Sequence, residues 1–129
     1  MRLFRRENGP TTGIGAAPSG EIDVQVVPEG KDSTIEVAGR VTVDSSPRLR
    51  AVLHEQIRAG TSRVLAIDFS RVSRCDTAGI ATLLEAARVA QAHRVRLRLV
   101  GMQAEVRVLA EVTEMDAVFR AFGSEVVFT

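Results

Sequence analysis

Apolar and polar residues alternate along this chain with two different periods, and each change of period marks a new element. Ile22, Val24 and Val26 fall on every second position, the period of a strand with one buried face, and Pro28 and Gly30 stop it. Ile35 and Val37 resume the same alternation, with Val41 as a candidate continuation. The turn-rich residues 28–32 between the two runs predict a hairpin.

The period then lengthens. Leu49, Val52, Leu53 and Ile57 keep the spacing of one helical face and predict a helix over residues 46–59. Ser45 or Ser46 is placed to cap it, Pro47 suits a first helical position, and Gly60 supplies a stop. Residues 63–69 hold Val64, Leu65, Ala66, Ile67 and Phe69, a nearly continuous apolar run of the kind found in interior strands. Residues 70–76 are expected to be a connection. Ile80, Leu83, Leu84, Ala87 and Ala90 then predict a long helix over residues 77–93.

Val95, Leu97 and Leu99 alternate with arginines and predict a one-faced strand that Gly101 closes, followed by a helix carrying Val106, Leu109 and Ala110. Arg94, Arg96 and Arg98 are expected to share the solvent side of that strand. Residues 115–129 show no clear period, and a short edge strand with a terminal extension is the reading there. The order strand, strand, helix, strand, helix, strand, helix, tail implies an α/β domain: a mixed sheet of four to five strands with helices mainly on one face. No internal repeat is visible.

Composition narrows the function. The chain has 129 residues, 45% hydrophobic and 26% charged, with a formal net charge of +1. That is one globular domain's worth of material. Residues 1–20 are rich in glycine and proline and are expected to form a disordered N-terminal tail, leaving residues 21–129 as the domain. Leu3 and Phe4 between arginines offer too little apolar area for more than weak membrane contact. The arginines are spread out and lack interleaved aromatics, so nucleic acid is not an expected partner. Neither a signal peptide nor a membrane-spanning segment is expected. Cys75 is the sole cysteine and fits a reducing, cytoplasmic setting. His54 and His93 lack companions at metal-ligand spacing, so no metal or cofactor is expected.

One stretch carries the candidate chemistry. Ile67-Asp68-Phe69 leads through Ser70-Arg71-Val72-Ser73-Arg74-Cys75 to Asp76-Thr77-Ala78-Gly79-Ile80 at the mouth of the long helix. This resembles the signature of STAS domains, typified by bacterial anti-sigma factor antagonists, in which a strand and loop end in Asp-Ser-Ser-Gly-Leu or Asp-Thr-Gly-Gly-Leu at a helix start. Gly39-Arg40-Val41 followed by Ser46-Pro47-Arg48-Leu49 resembles the family's earlier strand-to-helix segment, so the likeness spans about residues 21–122.

The resemblance implies a STAS fold and a non-enzymatic, protein-binding switch in transcription regulation. It places the phosphorylated hydroxyl at Thr77 and the partner-binding surface at Asp76, Thr77, Ala78, Gly79 and Ile80. An anti-sigma factor serine/threonine kinase is the implied partner. Each residue also has a plainer reading. Thr77 is a helix cap, Asp76 a loop carboxylate favoured by the helix dipole, Gly79 a tight-packing point, Ile80 a core residue and Cys75 inert packing.

The chain departs from the family at Thr42, where many antagonists carry an acidic residue in a Gly-x-Leu-Asp segment. The string from Ser70 to Thr77 also resembles the small STAS subunit of bacterial phospholipid-transport ABC complexes, whose partner is the ATPase subunit. Fold resemblance alone does not choose between the two.

Overall fold

The computed structural model describes residues 22–128. The expected tail, with Leu3 and Phe4, lies outside them. Ile22–Glu29 (β1) and Asp32–Val41 (β2) form the predicted antiparallel hairpin. Ser46–Ala59 (α1) crosses to Val64–Cys75 (β3), and Thr77–Ala92 (α2) crosses to Arg96–Val100 (β4). Two short helices, Ala104–Val112 (α3) and Met115–Ala121 (α4), lead to the two-residue edge strand Glu125–Val126 (β5). The second of these helices was not expected from the sequence.

The sheet order is β1-β2-β3-β4-β5, and every pair after the hairpin is parallel. All three parallel crossovers step the same way across the sheet, so their right-handedness puts the helices on one face. Register brings Val26, Ile35, Ile67, Leu99 and Val126 into a single row under those helices. Ile35, Ile67 and Leu99 are fully buried there. The opposite row, Val27, Thr34, Ala66, Arg98 and Glu125, lies on the open face, where Arg98 pairs with Glu125 at 2.9 Å.

Three expectations change. Residues 70–75 continue β3 instead of forming a connection. Two register shifts against β2, after Glu36 and after Gly39, each insert an extra β3 residue. The buried positions therefore run Phe69 then Val72, a spacing of three that hides a strand from a period-two search. At α1, Ser45 occupies the cap position but makes no side-chain capping bond, and Pro47 follows Ser46 within the first turn. Arg94 is not on the strand with Arg96 and Arg98. It precedes β4 in a left-handed turn at φ 61°.

Candidate functional site

The site forms where β2, β3 and α2 converge. Val41 ends β2 beside Cys75, and the Asp76 amide donates to the Val41 carbonyl at 3.0 Å. Asp76 then takes an extended backbone and caps α2, its Oδ1 accepting from the Gly79 amide at 3.1 Å. Its Oδ2 accepts from the Val43 amide, also at 3.1 Å. One carboxylate therefore joins the first turn of α2 to the loop between β2 and α1.

That loop is tightly built. Ser45 Oγ donates to the Arg40 carbonyl at 2.7 Å and accepts from the Thr42 amide at 2.9 Å. Ser46 Oγ donates to the Thr42 carbonyl at 2.5 Å. These bonds turn the chain sharply at the strand end and leave Val43 66% exposed. Alternation from Val41 would have placed Val43 in the core; the strand simply stops too soon. No sequence signal other than the Asp-Ser-Ser-Pro turn marks this residue.

Thr77 is the first residue of α2 and is exposed. It is not the cap: Asp76 has that role, and among the described residues nothing hydrogen-bonds the Thr77 hydroxyl. Ala78 is half-buried beside it. Gly79 is buried, and a Cβ there would come within 2.7 Å of both Cys75 Sγ and Val41 Cγ1. Tight packing is what demands this glycine. Ile80 is 2% exposed, which corrects its expected place on the partner-facing surface: the inward stripe of α2 takes it into the core. Cys75 is packed in the same seam, where burial first and the Asp76 charge second push its thiol up to about 12. Such a thiol stays protonated and unreactive.

Further along, α1 and α2 are joined by a two-bond ion pair. Arg50 donates to Glu85 from Nε at 2.9 Å and from a terminal nitrogen at 3.2 Å. This holds the Glu85 carboxyl below its usual range, chiefly through the hydrogen bond. His54 lies behind the pair, buried, its Nε2 lacking a hydrogen bond among the described residues and 4.0 Å from Glu85. Burial, and then the Arg50 charge, lower its pKa. His93 instead is exposed at the far end of α2, its Nδ1 3.0 Å from the Val89 carbonyl.

Among the described residues no group of His, Cys, Asp and Glu is placed to hold a metal, and no helix is long and apolar enough to cross a membrane.

A five-stranded mixed sheet with a one-sided helical layer and an Asp-capped α2 defines a small α/β domain whose exposed feature is a helix mouth. A family model described as "Mlab, STAS domain" matches residues 24–122, and the chain belongs to the STAS family. No curated protein matches it. Among solved structures, an anti-sigma factor antagonist from Mycobacterium paratuberculosis is similar at TM-score 0.71 and 20% identity, over 80% of this chain and 86% of that one. The anti-sigma factor antagonist SpoIIAA in its unphosphorylated form gives 0.61 and 18%, over 83% and 89%. The murine anion transporter Slc26a9 gives 0.58 and 23%, over 64% of this chain and 14% of the transporter. At these identities the likeness is one of fold.

Proposed function

We propose that this chain is a non-enzymatic regulatory domain of the anti-sigma factor antagonist type. It binds a serine/threonine kinase partner in the cytoplasm through the mouth of α2 and releases it once Thr77 is phosphorylated. The observation that carries this reading is the division of labour between neighbours. Asp76 does the capping, so the Thr77 hydroxyl is left exposed and unengaged at the helix start. Phosphorylation adds roughly −1.5 to −2 charges. The first-turn amides that Asp76 does not take, those of Thr77 and Ala78, and the helix dipole favour an anion there, so the domain itself tolerates the group. A docked partner does not, because it meets a bulky dianion beside Asp76 with both repulsion and desolvation opposing contact. Thr77, Asp76, Ala78 and the projecting Val43 make up the proposed contact surface, with Gly79 and Ile80 supporting it from beneath.

A second reading, the STAS subunit of a phospholipid-transport ABC complex, is favoured by one feature. Thr42 stands at the end of β2 where many antagonists carry a carboxylate, and its hydroxyl accepts from the Asp44 amide at 3.3 Å. In that reading Thr77 touches the ATPase subunit and no phosphate is involved. Capture of partners on the tagged chain, followed by incubation with ATP and mass analysis of the peptide bearing Thr77, separates the two. A kinase partner and a phosphate on Thr77 support the first reading. An ABC ATPase with Thr77 unmodified would replace it with the second.

A further inference from the structure

At the opposite end of α2 the chain builds a second feature that the Thr77 site does not use. An open cleft of about 650 Å³ lies between the end of α2, the start of β4 and the end of α4. Arg94, Arg96 and Arg120 stand around it, with Val95 and Phe122 as its apolar floor and Glu125 at its margin.

Both helices that end here finish in the same backbone motif. At α4 the Gly123 amide donates to the Arg120 carbonyl at 3.0 Å and the Ser124 amide to the Phe119 carbonyl at 2.8 Å. At α2 the Arg94 amide donates to the Gln91 carbonyl at 3.1 Å and the Val95 amide to the Ala90 carbonyl at 2.8 Å. This closure needs a left-handed residue just past the helix, ordinarily glycine. Gly123 meets the need at φ 79°, whereas Arg94 sits there at φ 61°. Glu114 adopts the same conformation after α3, so the conformation alone is no signal. What distinguishes Arg94 is where its side chain goes: a strained position is filled by a cation lining a cleft that holds further arginines.

The charges around the cleft do not cancel. Glu125 is taken by Arg98, and Arg120 is paired with Asp116. Arg96 donates from Nε to the Gly123 carbonyl at 3.2 Å, which fixes the guanidinium plane and leaves its terminal nitrogens available. Arg94 has no ion-pair or hydrogen-bond partner for its guanidinium among the described residues. The carbonyls of both helix ends named above are already bonded by backbone amides, so they do not consume these cations. Two forked donors over an apolar floor match a phosphate with a hydrophobic or aromatic body.

We infer that the cleft formed by Arg94, Arg96, Val95 and Phe122 binds a phosphate ester, as a soluble ester or as a phospholipid headgroup, independently of Thr77.

The test is titration of the full chain with phenyl phosphate, read by the Nε–Hε resonances of its arginines and the amides of Gly123 and Ser124. Saturable shifts confined to Arg94, Arg96 and those amides are expected, with weaker binding of inorganic phosphate because it cannot use the floor. Arg94→Gly is expected to weaken phenyl phosphate at least about tenfold, the loss of one charge-assisted contact, while its melting temperature stays level or rises. Arg96→Gln provides a second loss that leaves the turn untouched. Co-sedimentation with phosphatidylcholine vesicles containing phosphatidic acid, abolished by either variant, assigns the headgroup as the source. Binding of phenyl phosphate without vesicle retention assigns a soluble ester. Shifts spread evenly over all exposed arginines, or phenyl phosphate binding that neither variant weakens, would overturn the inference.

Discussion

At its first turn α2 depends on the rest of the molecule: Asp76 reaches the Val43 amide across the β2–α1 loop, and Gly79 lies against Val41 and Cys75. At its last turn the same helix is closed by its own backbone, with the Ala90 and Gln91 carbonyls bonded to the amides that follow. The first end is therefore coupled to a surface loop through Asp76 and to the ends of β2 and β3 through Gly79. The second end is self-sufficient, so its side chains are free to face a ligand. The two ends of one helix thus differ in kind: the first is tied to neighbouring elements, and the second is closed by its own backbone.

The contrast can be broken most severely at Gly79. Gly79→Val should cost about 3 kcal/mol or more, because its Cβ already overlaps two neighbours that strand pairing holds in place. A urea midpoint near that of the wild type would show that the seam between β2, β3 and α2 is looser than described.

Asp76→Ala should cost about 1–2 kcal/mol, the loss of a cap and of one further bond. In amide exchange it should loosen Val43 as well as the first turn of α2. Protection lost at Gly79 but kept at Val43 would uncouple the loop from the helix.

At the other end the sign reverses. Arg94→Gly should stabilise by up to about 1 kcal/mol, since glycine adopts the left-handed conformation without strain. Destabilisation by that change would mean that Arg94 is held by contacts the turn does not require.

The smallest effect belongs to His54, between the two ends. Its folded pKa lies below the unfolded value of about 6.5, so the unfolded chain binds the proton more readily. Stability is accordingly full above about pH 6.5 and declines as pH falls from there through the lower folded value. The groups acting on the ring are Arg50, Arg58 and Arg88, which oppose its charge, and Glu85, which favours it. His54→Leu should flatten the dependence of the urea midpoint over this window; an unchanged slope would assign it to other groups.

Much of this architecture was legible because the pattern of burial is local. Ile35, Leu83 and Leu99 are buried where their periods placed them, as is Ile67 within its apolar run, and right-handed crossovers put the helices on one face. What stayed hidden has physical causes. The second half of β3 carries two extra residues that break alternation, and α4 is only seven residues long. In the site, Asp76 and Thr77 were visible as a motif but their division of labour was not. The spacing admits either residue as cap, and only the backbone conformation of Asp76 decides it. Ile80 belonged to both a motif and an inward stripe, and the stripe prevailed. Val43 was invisible because its exposure depends on a turn closed by Ser45 and Ser46 hydroxyls. The Arg94 turn lacks the glycine that would have announced it.

The most direct measurement is the affinity of the captured partner for three forms of the chain: wild type, Thr77→Glu and Thr77→Ala. The regulatory account predicts that the glutamate form loses binding, while the alanine form binds as the wild type does and stays bound in the presence of ATP. Equal affinity of all three forms would contradict it and remove the exposed hydroxyl at the mouth of α2 from the mechanism.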